Sequence, residues 1–173
     1  MPAGPDVIII RGAPGVGKSS AASLLAQLYP SGAKVEVDRI RSMVNSVDWT
    51  DQSQHIAALK VAVDVACRFL EQDVRPVIVV DTFSGDKVRA FVSQLISARP
   101  LIHSYVFTLH ADPKVLEARL KGRDADNFKD FAIAAMINRD VLLYQCPGEV
   151  VVDTSCLDTA GVVASIREHL ATA

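Results

Sequence analysis

Short, nearly uninterrupted apolar runs alternate along this chain with longer stretches in which apolar residues recur every three or four positions. The runs Val7 to Arg11, Lys34 to Val37, Val77 to Asp81, Ser104 to Leu109 and Val150 to Asp153 are too short for helices. Several are apolar throughout, as strands covered on both faces are. The alternation predicts an α/β fold with five parallel strands between helical layers. Ile56, Leu59, Val63, Ala66 and Leu70 form one stripe of a helix starting near Asp51. Asp112-Pro113 supplies a cap and a first-turn proline for the helix bearing Leu116 and Leu120, and Asp158 is placed to cap the last helix. The charged stretch from Gly122 to Lys129 breaks the pattern and predicts a mobile lid of about residues 122–130. No repeat or linker interrupts the rest, so one domain over 1–173 is expected.

Composition narrows this picture only by exclusion. Half of the 173 residues are hydrophobic and 22% are charged, which removes disorder from consideration. A net charge of -2 offers no global field for a polyanion, so nucleic acid is a disfavoured partner, although a local basic groove remains open. Cys67, Cys146 and Cys156 are odd in number and lack metal-ligand spacing, and are expected to be small core residues in a reducing compartment. Arg11 cuts the first apolar run short of a signal peptide, and no run reaches the roughly 20 residues of a membrane span. A cytoplasmic protein with no membrane partner is expected.

Immediately after the first strand comes Gly12-Ala13-Pro14-Gly15-Val16-Gly17-Lys18-Ser19, followed by Ser20, Ala21, Ala22, Leu24 and Leu25 of a helix. Strand, glycine-rich loop and helix are the context that gives this motif meaning. The glycines let the backbone wrap an anion, so that its N–H groups and the positive end of the helix face phosphates. Lys18 adds a charge near the β and γ phosphates, the Ser19 hydroxyl suits Mg²⁺, and Ser20 completes the phosphate-binding set. ATP and Mg²⁺ are therefore the expected cofactors.

Other candidates carry two readings each. Asp38, at the end of the second strand, either takes the proton of an acceptor hydroxyl or caps the following helix. Arg41, one turn on, either fixes an anionic substrate group or is a surface arginine. Asp81 ends the third strand and reads as a carboxylate that reaches Mg²⁺ through water, positions Thr82 toward substrate, or makes a turn. Arg119 and Arg123 share a helix face leading into the lid, where they either close over a transferring phosphoryl group or make salt bridges. His55, His103, His110 and His169 have no carboxylate or cysteine at ligand spacing and are expected to be structural. Trp49 and Tyr29 stand between substrate wall and packing.

Taken together, Gly12-x-Pro14-Gly15-x-Gly17-Lys18-Ser19, Asp38-x-x-Arg41, Val80-Asp81-Thr82 and Arg119-x-x-x-Arg123 resemble the small P-loop kinases grouped with polynucleotide kinase. The chain is also similar to chloramphenicol phosphotransferase and, more distantly, to zeta-toxin kinases. The resemblance runs from Val7 to about Leu170. It implies a three-layer P-loop NTPase fold with strand order 2-3-1-4-5, Asp38 as general base and Arg123 on the transferring phosphate. In the polynucleotide kinases it implies that the arginine at the Arg41 position holds the nucleic-acid phosphate next to the acceptor hydroxyl, and it places adenine near the loop that begins Asp153-Thr154-Ser155. The reaction expected is γ-phosphoryl transfer from ATP to a hydroxyl of a small molecule or nucleoside-like acceptor. A 5'-hydroxyl polynucleotide kinase and an ATP-hydrolysing switch are the alternatives.

Overall fold

All six residues of β1 (Val7–Gly12) are buried, because this strand lies at the centre of the sheet with neighbours on both edges. The computed structural model describes residues 4–124 and 128–172. Chain order continues with α1 (Lys18–Gln27), β2 (Ala33–Glu36), α2 (Val37–Arg41), α3 (Gln52–Glu71), β3 (Val77–Val80) and α4 (Lys87–Ala98). Then follow β4 (Ser104–His110), α5 (Pro113–Lys121), α6 (Phe131–Leu143), β5 (Val150–Asp153) and α7 (Thr159–Thr172). The sheet order is β2-β3-β1-β4-β5 and every pairing is parallel, as the strand pattern and the resemblance led us to expect. Each strand falls within one residue of its expected bounds.

Side chains of β1 alternate between two cores. Ile8 and Ile10 pack with Leu25 of α1 and with Val163 and Ile166 of α7. Val7 and Ile9 pack with Leu59 and Val63 of α3 and with Phe91 and Leu95 of α4. Two helical layers therefore sandwich the sheet, and the loops at the carboxyl ends of the strands lie at the edge of the sheet, where such folds present ligand-binding residues.

Capping follows the sequence closely. Asp51 accepts from the Ser53 and Gln54 amides at the start of α3, Asp112 from Lys114 at α5, and Asp158 from Gly161 at α7. The α3 stripe needs one correction: Ile56 is 45% exposed, and His55 stands in its place among the buried residues. A rotation of one position suffices, because the helix turns 100° per residue and the apolar stripe is wider than that. The cysteines are free, but Cys156 is exposed and the other two only partly buried, so the core assignment fails for Cys156. Of the lid segment 122–130, residues 125–127 lie outside the described residues. No helix among the described residues is long and apolar enough to cross a membrane.

One charged side chain sits in the middle of this core. Arg11 of β1 is fully buried, and donates to Thr108 Oγ1 of β4 at 2.7 Å, to the Phe83 carbonyl at 3.1 Å and to the Val141 carbonyl of α6. Its charge is matched by Glu149, 2.9 Å away and equally buried. Burial pulls the Arg11 pKa down, and the Glu149 carboxylate opposes that pull.

Candidate phosphate-binding site

The loop between β1 and α1 has the backbone its glycines predict. Gly12, Gly15 and Gly17 all adopt positive φ, at 144°, 90° and 98°. Gly12 is also held by contact: a side chain there would strike the Leu109 carbonyl oxygen of the neighbouring strand. Gly17 is the N-cap of α1 and has no side-chain bond to the first-turn amides, so those N–H groups face the loop. Ala13 and Val16 are buried and anchor the loop between the layers, while Ser19 and Ser20 are exposed at the start of the helix. The arrangement fits a chain of phosphates.

Lys18 donates to the Ala13 carbonyl at 2.9 Å, its ammonium curled over the loop it serves. Surrounding protein lowers its pKa from 10.5 to about 8, against the opposing pull of Asp81 and Asp38. A desolvated ammonium with a pKa that low gains most from an anionic ligand.

Asp38 lies in the first turn of α2, just past the end of β2, and its side chain does not cap that helix. Of its two readings the capping one is therefore removed. It stays open to solvent, and partial burial together with the Asp81 carboxylate raises its pKa, while Lys18 and Arg41 draw it down. The charges of Asp81 just past β3, Asp38 in α2 and Arg123 just past α5 all act on Lys18 at the end of the phosphate loop, so the four belong to one cluster.

Arg41 is 7% exposed, not a surface arginine. It donates to the Asp48 carbonyl at 3.1 Å, stacks 4.7 Å over the Trp49 ring, and keeps a buried Nε with no hydrogen-bond partner. Trp49, which is 51% exposed, is thereby a lid on Arg41 and not a core residue.

Asp81 is buried and accepts from the Phe83 amide at 2.7 Å. Its two oxygens also lie 3.0 and 3.1 Å from Nε2 of His55. No spacing along the chain points to this pair, because its members are 26 residues apart and on different elements. Thr82, next to Asp81, is half-buried. Arg119 donates to Thr154 Oγ1 at 2.8 Å, to the Thr154 carbonyl at 2.6 Å and to the Leu157 carbonyl at 3.4 Å. Thr154 in turn reaches the Val16 carbonyl of the loop at 3.4 Å. Arg123 donates to the Phe128 carbonyl at 3.0 Å, at the edge of the lid segment.

Among the described residues no group of three or more His, Cys, Asp or Glu side chains could hold a metal ion. A single hydroxyl at Ser19 and one carboxylate at Asp81 nevertheless suit Mg²⁺, which usually retains waters and phosphate oxygens in place of a full protein cage.

A parallel 2-3-1-4-5 sheet whose central strand runs into a glycine-rich loop and helix defines the P-loop nucleotide-binding class. A family model for an AAA domain matches residues 8–141, and the chain belongs to that family. Solved structures agree on the fold. The chain is similar to the APS kinase of Mycobacterium tuberculosis, with a TM-score of 0.72, 17% identity and coverage of 99% of this chain and 100% of that one. It is also similar to a tunicamycin resistance protein of Deinococcus radiodurans, with a TM-score of 0.71, 24% identity and coverage of 97% and 96%. A gluconokinase of Sinorhizobium meliloti 1021 gives a TM-score of 0.68, 21% identity and coverage of 97% and 93%. A search of curated proteins finds no match.

Proposed function

We propose that this protein is an ATP- and Mg²⁺-dependent kinase that transfers the γ-phosphoryl group to a hydroxyl of a small molecule or nucleoside-like acceptor. The observation that carries the reading is Asp38: an exposed, uncapped carboxylate of raised pKa, coupled electrostatically to Lys18 of the phosphate loop. A hydrolysing switch has no need of such a base on the acceptor side, whereas a kinase needs one to orient the hydroxyl and take its proton. The likeness in fold to an APS kinase and a gluconokinase supports the same class.

The residues divide the work as follows. Gly12 to Ser20, apart from Pro14, hold the phosphates through backbone N–H groups, and Lys18 neutralises charge on them. Ser19 would bind the metal directly and Asp81 through water, and Mg²⁺ when bound withdraws charge from the phosphate oxygens. Asp38 accepts the acceptor's proton, Arg123 reaches the transferring group from the lid, and Arg119 with Thr154 borders the adenine. Thr82 and Arg41 line the acceptor side.

One observation favours a narrower acceptor. A buried guanidinium with an unpartnered Nε costs free energy unless a ligand completes it. An acceptor bearing an anionic group near its hydroxyl would do so, and the 5' end of an oligonucleotide is one such acceptor.

The test is a screen of pooled nucleosides, oligonucleotides, sugars and antibiotics with ATP, read by mass spectrometry for a gain of about 80 Da, one phosphoryl group. Asp38→Asn should still bind ATP while transfer to the acceptor found falls by about two orders of magnitude or more. Turnover that persists in Asp38→Asn would sink the assignment. ATP consumption indifferent to every acceptor points instead to a switch. A steep loss of activity with salt on oligonucleotides selects the polynucleotide kinase.

A further inference from the structure

We propose that His55 is a positioning residue for this reaction, which holds Asp81 and, through it, the turn that carries Thr82 toward the acceptor. The inference rests on the kinase reading for its consequence, but its geometry stands by itself.

His55 occupies the first turn of α3, a helix whose other buried positions are Ala58, Leu59, Ala62, Val63, Ala66 and Leu70. An apolar side chain would serve this core at no polar cost, whereas a buried imidazole requires a partner. The partner is Asp81, and because a carboxylate only accepts, Nε2 carries the proton and donates it. The Asp51 cap fixes the start of α3, and so sets the height at which the ring meets the end of β3.

What Asp81 holds in turn is unusual backbone. Phe83 adopts φ 48°, a left-handed conformation that a residue with a large side chain takes only under constraint. Three contacts impose it: the Phe83 amide donates to Asp81 Oδ2, Arg11 donates to the Phe83 carbonyl, and the Phe83 ring meets Phe91 edge-on at 5.1 Å. Thr82 lies between the two clamped residues, so its direction is set by them. Asp81 thus has both oxygens engaged by donors from the chain itself. Free of His55, the carboxylate would be able to rotate about its side-chain torsions and release the Phe83 amide.

The test uses the full chain in three forms. His55→Leu keeps the volume and removes the donor; His55→Asn keeps polarity but is too short to reach Asp81; His55→Gln places an amide N–H where Nε2 was. Two readouts are taken on each. One is the position of the Thr82 and Phe83 amide signals in a ¹H–¹⁵N spectrum, and the other is Mg²⁺-dependent ATP consumption beside ATP affinity.

In His55→Leu and His55→Asn both amide signals should move, and turnover should fall about tenfold or more while ATP affinity stays within about twofold. His55→Gln should return the signals and most of the turnover. Unmoved amide signals in Leu and Asn variants, or a Gln variant that behaves like them, would overturn the proposal. If the unaltered protein consumes no ATP with any acceptor, the kinase reading fails, and the amide signals still decide the role of His55.

Discussion

Lys18 and Asp38 are shifted in opposite directions, and each shift sets an observable pH dependence. The Lys18 ammonium, lowered to about 8, is mostly charged near neutral pH and discharges in more alkaline solution. ATP restores the charge it needs, so binding above that value must draw in a proton. ATP affinity should therefore fall between pH 7 and 9, and calorimetry in two buffers of different ionisation enthalpy should show proton uptake on the alkaline side. Asp38 moves the other way. A base must be ionised to accept a proton, so on the kinase reading the acid limb of kcat/KM should lie above the ordinary carboxylate value of 3.8 and rise with pH. Asp38→Asn removes that limb with the activity. Arg41 shows why residue type alone misleads: arginines are mostly exposed, yet this one is buried under Trp49 by the segment after α2.

At the scale of elements, α3 links the Asp81 turn to the core through His55, and its amino end depends on Asp51. The carboxylate accepts from the Ser53 hydroxyl and amide, which lowers its pKa. A depressed pKa means that the cap contributes stability above the unfolded value of about 3.8, and loses it as pH falls through the folded one. Asp51→Ala should accordingly melt below the unaltered protein near pH 7, and the gap should narrow in acid, as followed by thermal circular dichroism. Because His55 sits one turn in, the same variant should also broaden the Phe83 amide signal. Elements built on local rules were legible in advance. The five strands, the phosphate loop and the caps at Asp112 and Asp158 each depend on neighbours in sequence. The placement of Ile56 was not, since a helix can roll by one residue and still keep most of its apolar stripe covered.

For the whole molecule, Arg11 is the tie between layers: it bonds β1 to β4, to the turn after β3 and to α6, with Glu149 as its counter-charge. Removing that counter-charge leaves a buried guanidinium unmatched, which costs about 3–5 kcal/mol. Glu149→Gln should therefore lower Tm by roughly 6–20 °C at this chain length, measured by calorimetry. By itself the sequence determined the fold class, the strand count and the loop that receives phosphates, because hydrophobic period, glycine freedom and strand–loop–helix order are local properties. The strand order came from resemblance. Only the tertiary structure decided which distant side chains meet. It joined His55 to Asp81, freed Asp38 from capping, buried Arg41, and turned Arg119 to Thr154. Such pairings depend on how helices roll against the sheet, and no spacing along the chain encodes that rotation.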